Sequence, residues 1–348
     1  MKVGVIGHLG GPEIFSDGQT VKTKNLVMLL ENAGFEVIKA DTYFNKVNKA
    51  RLLADTMVCL LRCRHIFLLV SEGGMRFYLP FLYYINKLTR RRIYHYVIGS
   101  ELLQMVASDA KMVRYLNALD VNWFEYDSGT AFLRENGVRN AWTLPNFKFL
   151  KTEDHICEYD GADNLFRFCT FSRVMEEKGI SDAIEAVAGI NAEQGKVIAR
   201  LDIYGPVEAD YRLKFEQLLR AHGDCVSYRG IADSEGSVEI LKRYYALLFP
   251  TRWAGEGVPG TLIDAFAAGV PVIATDWNAN REIITHNKQG VIYPNDSMPD
   301  LDAAVSWAIA HPEKMADMRR ESKQEFTRYL PETILETILR QMKGPVRE

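Results

Sequence analysis

Apolar residues recur along the chain in two alternating rhythms. Short runs at Lys2–Ile6, Glu36–Ala40, Ile66–Val70 and Ile93–Ile98 read as strands, and the unbroken apolarity of Ile66–Val70 suits a parallel sheet covered on both faces. Between them, Thr20–Ala33 sets Val21, Leu26, Leu29 and Leu30 at helical spacing, Gly34 is placed to end that helix, and Phe77–Leu88 reads as another. The rhythm weakens in the polar stretch from about Leu150 to Leu165, which reads as a linker. It then restarts. Strands at Phe166–Phe171, Ala199–Tyr204, Val226–Tyr228, Ala246–Pro250 and Val270–Thr275 alternate with helices at Ile180–Ala192, Tyr211–Ala221, Ser237–Tyr244 and Thr261–Ala268.

Strands that alternate with helices imply doubly wound parallel sheets. The expected fold is α/β, with two doubly wound, Rossmann-like domains facing each other across a cleft, residues 1–155 and 156–328. Residues 329–348 carry an amphipathic helix, Pro331–Met342, expected to cross back to the first domain.

Composition narrows the function classes. A formal net charge of −3 in 348 residues gives no basic face for a nucleic acid, and none is expected as partner. Five cysteines, Cys59, Cys63, Cys157, Cys169 and Cys225, are odd in number and scattered along the chain, which fits reduced, packed thiols better than a disulfide framework. Cys59 and Cys63 lack a second pair to complete a zinc site. The N-terminus enters a strand-like run at once, unlike a signal peptide, and the most apolar stretch, Ile66–Leu88, is interrupted by Glu72, Arg76 and Pro80. A cytoplasmic protein is expected, with a peripheral position on the inner face of the membrane as a candidate. Tyr78, Phe81, Tyr83 and Tyr84, followed by Lys87 and Arg90–Arg92, motivate that candidate; the plainer reading is a half-buried helix whose terminal cations complement its dipole.

The N-terminal glycines Gly4, Gly7, Gly10 and Gly11 sit where a dinucleotide fingerprint would, with Asp41 at the end of the second strand. The spacing argues against a nicotinamide cofactor: Gly4 and Gly7 are three apart rather than two, and the Gly10–Gly18 loop is too long for the tight phosphate turn. A long glycine loop beside a cleft suits contact with a sugar or acceptor, which makes Gly10, Gly11 and Gly18 candidates.

Phe249–Phe266 concentrates chemistry. A buried strand ends at Pro250, glycines follow at 255, 257 and 260, and a helix begins near Gly260. Such a loop lets backbone amides and a helix N-terminus approach a phosphate. Glu256 in the loop and Asp264 one turn into the helix each suit a pair of hydroxyls; alternatively, Glu256 caps the helix and Asp264 lies on its solvated face.

This stretch resembles the signature of the retaining group 1 (family 4) glycosyltransferases, which have the GT-B fold. Their Pro-Ser-x-x-Glu-Gly is followed by a second acid eight positions after the first, here Glu256 and Asp264, and Ala265–Ile273 continues the likeness. Asp264 replaces the family's Glu and is one methylene shorter. Pro259 has no N–H, so amide contacts are expected from Val258, Gly260 and Thr261. Ser172-Arg173, with Lys178-Gly179 further on, resembles the family's Ser-Arg-x-x-x-x-Lys-Gly segment. Asp202–Pro206, with Gly205, resembles the family's strand and turn ending in glycine, Val226–Gly230, with Arg229, resembles the segment bordering the nucleobase, and Leu144–Asn146 resembles the close of the first domain. Where many members carry His-Gly, this chain has Ile98-Gly99, with His95 three residues earlier as a candidate contact.

The resemblance implies a retaining transfer of a sugar from a nucleotide-diphosphate sugar, UDP-linked among the options, to a hydroxyl of a glycan or lipid-linked acceptor. Bacterial polysaccharide, lipopolysaccharide or capsule synthesis is the implied setting. Residues 1–155 become the acceptor side and 156–328 the donor side. Glu256 orients the sugar, Arg173 and Lys178 hold the diphosphate, and Asp264, Gly257, Val258, Gly260, Thr261, Gly205, Arg229 and Gly18 contact the donor. An Arg fork, a Lys charge and a helix N-terminus stabilise a departing diphosphate without a metal, so no metal or resident cofactor is expected. The rival expectation is a nucleotide-sugar-binding subunit of the same fold that has lost turnover.

Overall fold

The computed structural model describes residues 1–13, 17–153, 156, 158–159, 161, 164–233, 236–294 and 298–344. Part of the Gly10–Gly18 loop and of the 150–165 stretch, including Cys157, lies outside them. The chain divides into two compact units. One comprises Met1–Phe149, the short segment Gly255–Pro259 and the C-terminal segment from Arg328; the other comprises Leu150–Ala254 and Gly260–Thr327.

In the first unit, six parallel strands run in the order β2-β1-β3-β4-β5-β6. They are β1 (Lys2–Gly7), β2 (Glu36–Asp41), β3 (His65–Leu69), β4 (Arg92–Tyr96), β5 (Val121–Phe124) and β6 (Ala141–Thr143). Every residue of β3, β4 and β5 is buried, as a sheet covered on both faces requires. Phe67, Tyr94 and Trp123, one from each of these strands, stack at centroid separations of 5.2 and 5.5 Å and tie neighbouring strands on one face. The C-terminal helix Pro331–Met342 adds Ile334, Ile338 and Met342 to the same core.

The second sheet, also of six parallel strands, runs β12-β11-β10-β7-β8-β9. Its strands are β7 (Phe166–Phe171), β8 (Ala199–Tyr204), β9 (Val226–Gly230), β10 (Ala246–Phe249), β11 (Val272–Thr275) and β12 (Gly290–Tyr293). Counted from β7, this is the nucleotide-binding order 3-2-1-4-5-6. Phe168, Ile184, Leu201, Leu248, Ile273 and Val305 belong to its core.

In an open parallel sheet, ligands sit outside the carboxyl ends of the strands where the winding reverses. That point falls between β7 and β10 in the second unit and between β1 and β3 in the first.

Two helices differ from expectation. The helix containing Phe77–Leu88 starts at Glu72 and runs to Thr89, continuing through Pro80. Gly73 and Gly74 mask its first turn in the sequence; Gly74 is required there because a Cβ would stand 2.6 Å from Val70 Cβ. Lys49–Arg62, capped by the Asn48 side chain, is a full helix between β2 and β3 that the apolar rhythm of the sequence does not announce. Cys59, on this helix, is buried, and burial pushes its thiol up to about 12, so it stays neutral and inert. Cys63, Cys169 and Cys225 are likewise buried and free.

Candidate functional site

The two motifs of the second unit meet at its switch point. Ser172 and Arg173 follow β7, and Pro250–Trp253 follow β10. The Arg252 amide donates to Glu177 O at 2.7 Å. Gly179 adopts φ +67°, and a Cβ there would fall 2.2 Å from Pro250 O, so this approach admits only glycine. Arg173 pairs with Glu208 at 3.2 Å, and its guanidinium lies 5.0 Å from the Trp253 ring centroid, while its side chain stays 44% exposed. Lys178 ends the short helical turn Glu176–Lys178 and is buried.

Gly205 follows β8 at φ +135°, and a Cβ would sit 1.7 Å from Ser172 O. Its role is to let the Ser172–Arg173 turn lie against the end of β8. Arg229 donates to Asp202 at 2.9 Å and remains half exposed; the Asp202 carboxylate holds its guanidinium pKa above the usual value. Tyr244 donates to the other Asp202 oxygen at 2.7 Å. Thr261, in the first turn of the helix Gly260–Ala268, has its hydroxyl oxygen out of solvent with no hydrogen-bond partner among the described residues. Asp264 on this helix is 5% exposed, which removes the reading that it lies on a solvated face.

Asp300-Leu301-Asp302 has Asp-x-Asp spacing but lies in the helix Met298–Ala310, where residues two apart point to different sides and cannot share an ion. Burial raises the pKa of Asp302. Among the described residues no group of three His, Cys, Asp or Glu side chains is disposed to hold a metal.

In the first unit, Asp41 organises the loop after β1. Its carboxylate accepts from the Leu9, Gly11 and Tyr43 amides at 2.8, 2.8 and 2.9 Å. Gly10 and Gly11 have φ of +92° and +55°. A Cβ on Gly11 would meet the Tyr43 ring at 2.4 Å, so Gly11 is shaped by Tyr43 and its N–H is engaged by Asp41. Gly18 opens the helix Gly18–Asn32, whose Asp17 cap accepts the Thr20 amide at 3.0 Å; the space around Gly18 is open.

A groove of about 890 Å³ lies at this switch point, where the chain leaves β1 and β3. His8, Tyr43, Leu53, Ser71, Phe77 and Phe81 are among its lining residues. Phe77 and Phe81 stack at 5.8 Å, and Phe77 and Leu53 are each more than half exposed. Lys46 and Lys49 also line it, and neither has an ion-pair partner among the described residues. The sequence singled out Phe81 but not this groove, because its walls come from segments far apart in the chain.

His95 is on β4 and fully buried, with Nδ1 3.2 Å from Asn122 Oδ1 and no partner at Nε2 among the described residues. Burial lowers its pKa from an ordinary 6.5 to about 4. The structure favours the packed-strand reading over substrate contact. His95 stays neutral in the folded chain while the unfolded chain takes up a proton near pH 6.5, so stability is lost as pH falls from about 6.5 towards 4. We expect this group to remove about 2 kcal/mol between pH 7 and pH 5. Urea unfolding at both pH values, compared with His95→Asn, checks it; an equal loss in the variant would refute the assignment.

The basic edge considered for a membrane surface is largely engaged. Arg91 donates to Leu60 O at 2.7 Å, closing the helix Lys49–Arg62, and Arg92 donates to Met342 O at 2.6 Å at the end of the C-terminal helix. Tyr84 and Leu88 remain exposed. No helix among the described residues is long and apolar enough to cross a membrane.

The segment Gly255–Pro259 packs within the first unit. Glu256 is 9% exposed. The Val258 amide, expected to face a phosphate, donates instead to Glu125 Oε2 at 2.7 Å, and Val258 O accepts from Asn146 Nδ2 at 3.1 Å. The loop from Pro250 to Glu256 is also two residues longer than the Pro-Ser-x-x-Glu pattern, and it carries Trp253, which faces Arg173.

Two Rossmann-like units in one chain, one with the nucleotide-binding strand order, define a GT-B fold, and solved structures agree. HepE of Anabaena, in complex with UDP and glucose, superposes with a TM-score of 0.71 at 16% identity, over 98% of this chain and 99% of that one. Sucrose-phosphate synthase of Thermosynechococcus elongatus gives 0.76 at 16% identity, over 98% of both. Residues 158–325 match the family described as glycosyl transferases group 1. The amylovoran biosynthesis glycosyltransferase AmsK of Erwinia amylovora is 28% identical over 153 residues, covering 42% of this chain and 36% of that protein. The lipopolysaccharide core biosynthesis mannosyltransferase LpsB of Rhizobium meliloti is 32% identical over 163 residues, covering 43% and 42%. The chain thus matches well under half the length of these relatives.

Proposed function

We propose that the protein is a retaining glycosyltransferase that moves a sugar from a nucleotide-diphosphate sugar to a hydroxyl acceptor, in the synthesis of a bacterial surface polysaccharide or lipopolysaccharide. The supporting observation is the meeting of the Arg173–Lys178 turn with the Pro250–Trp253 loop at the switch point of a nucleotide-ordered sheet. Arg173 and Lys178 hold the diphosphate, Gly260 and Thr261 offer the helix N-terminus to it, and Asp264 takes the ribose hydroxyls. Gly205 shapes the turn under Arg173, and Arg229 lies towards the base. Glu256 orients the transferred sugar.

In the reaction the bond between the anomeric carbon and the diphosphate oxygen breaks, and the acceptor oxygen bonds to that carbon on the same face. The acceptor hydroxyl gives its proton to the departing phosphate oxygen. Charge grows on the diphosphate as it leaves, where fixed cations act most strongly. The arrangement has no need of a metal for this. UDP is the favoured carrier, since UDP occupies HepE.

The groove of the first unit takes the acceptor. Stacked Phe77 and Phe81 suit the apolar face of a sugar or a lipid chain, and Lys46 and Lys49 suit a phosphate linking the two. That chemistry favours a lipid-linked acceptor, presented to a protein placed peripherally on the inner face of the membrane.

A thermal-shift panel of UDP-, GDP-, ADP- and dTDP-sugars tests the donor reading. One nucleotide should stabilise the protein by about 2.7 kcal/mol at a hundred times its Kd. No shift with any of them refutes the proposal. A shift without release of nucleoside diphosphate across lipid-linked and free glycan acceptors favours the non-catalytic binding subunit.

A further inference from the structure

Glu125 is the first residue after β5, and it is buried. One of its carboxylate oxygens accepts from Lys22 Nζ at 2.6 Å, and the other accepts the Val258 amide at 2.7 Å. Lys22, on the helix Gly18–Asn32, is 3% exposed; it also donates to Val97 O at 2.6 Å and stands 3.6 Å from the Tyr96 ring centroid. Burial lowers the Lys22 pKa and the Glu125 charge opposes that lowering. Two ions removed from water are tolerated where their remaining hydrogen-bonding capacity is met, and here the Val97 carbonyl and the Val258 amide meet much of it.

The Val258 peptide is therefore gripped at both ends, its N–H by Glu125 and its carbonyl by Asn146. The residue before it reinforces the grip: a Cβ on Gly257 would stand 2.2 Å from the same Glu125 oxygen that takes the amide. Gly257 is glycine because a carboxylate occupies the place of its side chain. Glu256 is the next residue back along the chain. Hydrogen bonds on both the amide and the carbonyl of Val258 restrain the backbone two residues from Glu256, and glycine at 257 lets the Glu125 carboxylate come that close.

We infer that Glu125, neutralised by Lys22, is a positioning residue that fixes the backbone carrying Glu256. The inference rests on the sugar-orienting role proposed for Glu256, but its geometric half stands without that role. It gives a reason for the buried ion pair beside β5. It also assigns Gly257 and Asn146 to the same device. The Val258 amide then serves loop geometry, and phosphate contact is left to Gly260 and Thr261.

Two readouts test it separately. In Glu125→Ala, hydrogen exchange of a peptide covering Gly255–Thr261 should quicken at least about tenfold while peptides from β7 to β9 keep their rates. In Glu125→Gln, which keeps the shape but opposes one N–H with another, kcat should fall about 30-fold with donor KM within about threefold, because the proposed diphosphate and ribose contacts lie elsewhere. A purely structural pair would lower the melting temperature and leave this split unmoved. The double variant Lys22→Met/Glu125→Gln removes the buried charge but keeps an acceptor for Val258, and should recover most of the lost kcat. Unchanged exchange at Gly255–Thr261, or kcat of Glu125→Gln within threefold of the parent, overturns the inference. If the parent transfers no sugar, the function proposal fails and the exchange arm alone decides the positioning.

Discussion

Lys178→Met is expected to lower kcat by about 10²–10³-fold while leaving the protein folded. Methionine keeps an apolar stem of similar length and removes the charge. That charge is worth most where it is out of water and where the substrate's own charge is growing, and Lys178 is buried beside the Pro250 loop. Binding of the intact donor should weaken much less, since its diphosphate carries less charge than the leaving group does. Arg173→Ala should cost less, because this guanidinium is partly exposed and shares its charge with Glu208. Initial rates of nucleoside-diphosphate release, with donor affinity from thermal shift, check both. A Lys178→Met rate within tenfold of the parent would remove Lys178 from the leaving-group role.

The second unit was largely legible in the sequence because its signals are local. Strands Phe166–Phe171 and Ala199–Tyr204 occur with the bounds read from their apolar runs. Both chemistry-bearing motifs lie directly after strands of that sheet. What escaped is long-range. Lys22 reads as one more polar position on an amphipathic helix, and its partner Glu125 is 103 residues away. Asp41 stood where a ribose ligand would stand in a dehydrogenase, yet it is engaged by the Leu9 and Gly11 amides of the loop after β1 and by the Tyr43 amide. Strand β6 has only three residues, too few for a period to show. Pro80 is ordinarily a helix breaker, and only packing reveals that the helix Glu72–Thr89 runs through it. Glu256 and Asp264 were singled out by the family resemblance, but that both are buried, and that Asp264 is off the solvated face, required the fold.

Glu256→Ala should have the largest effect, a fall in kcat of about 10³-fold with donor affinity changed by less than about threefold. The separation follows from where the proposed contacts lie. Diphosphate and ribose are held by Arg173, Lys178 and Asp264, so the ground-state donor keeps most of its binding when Glu256 is removed. The sugar alone loses its orientation, and misplacement of a reacting centre by about 1 Å costs two orders of magnitude in rate. Glu256→Asp should recover part of the rate because it restores the charge, but not all, since the Val258 peptide is fixed between Glu125 and Asn146 and cannot shift to make up a methylene. The same fixation makes the comparison with Asp264→Glu informative. Asp264 sits on a helix with the shorter acid, so lengthening it should alter donor affinity and leave kcat nearly unmoved, the reverse of the pattern at Glu256. If both substitutions changed affinity and rate alike, the division of labour between a ribose carboxylate and a sugar carboxylate would be wrong, and the two acids would act as one.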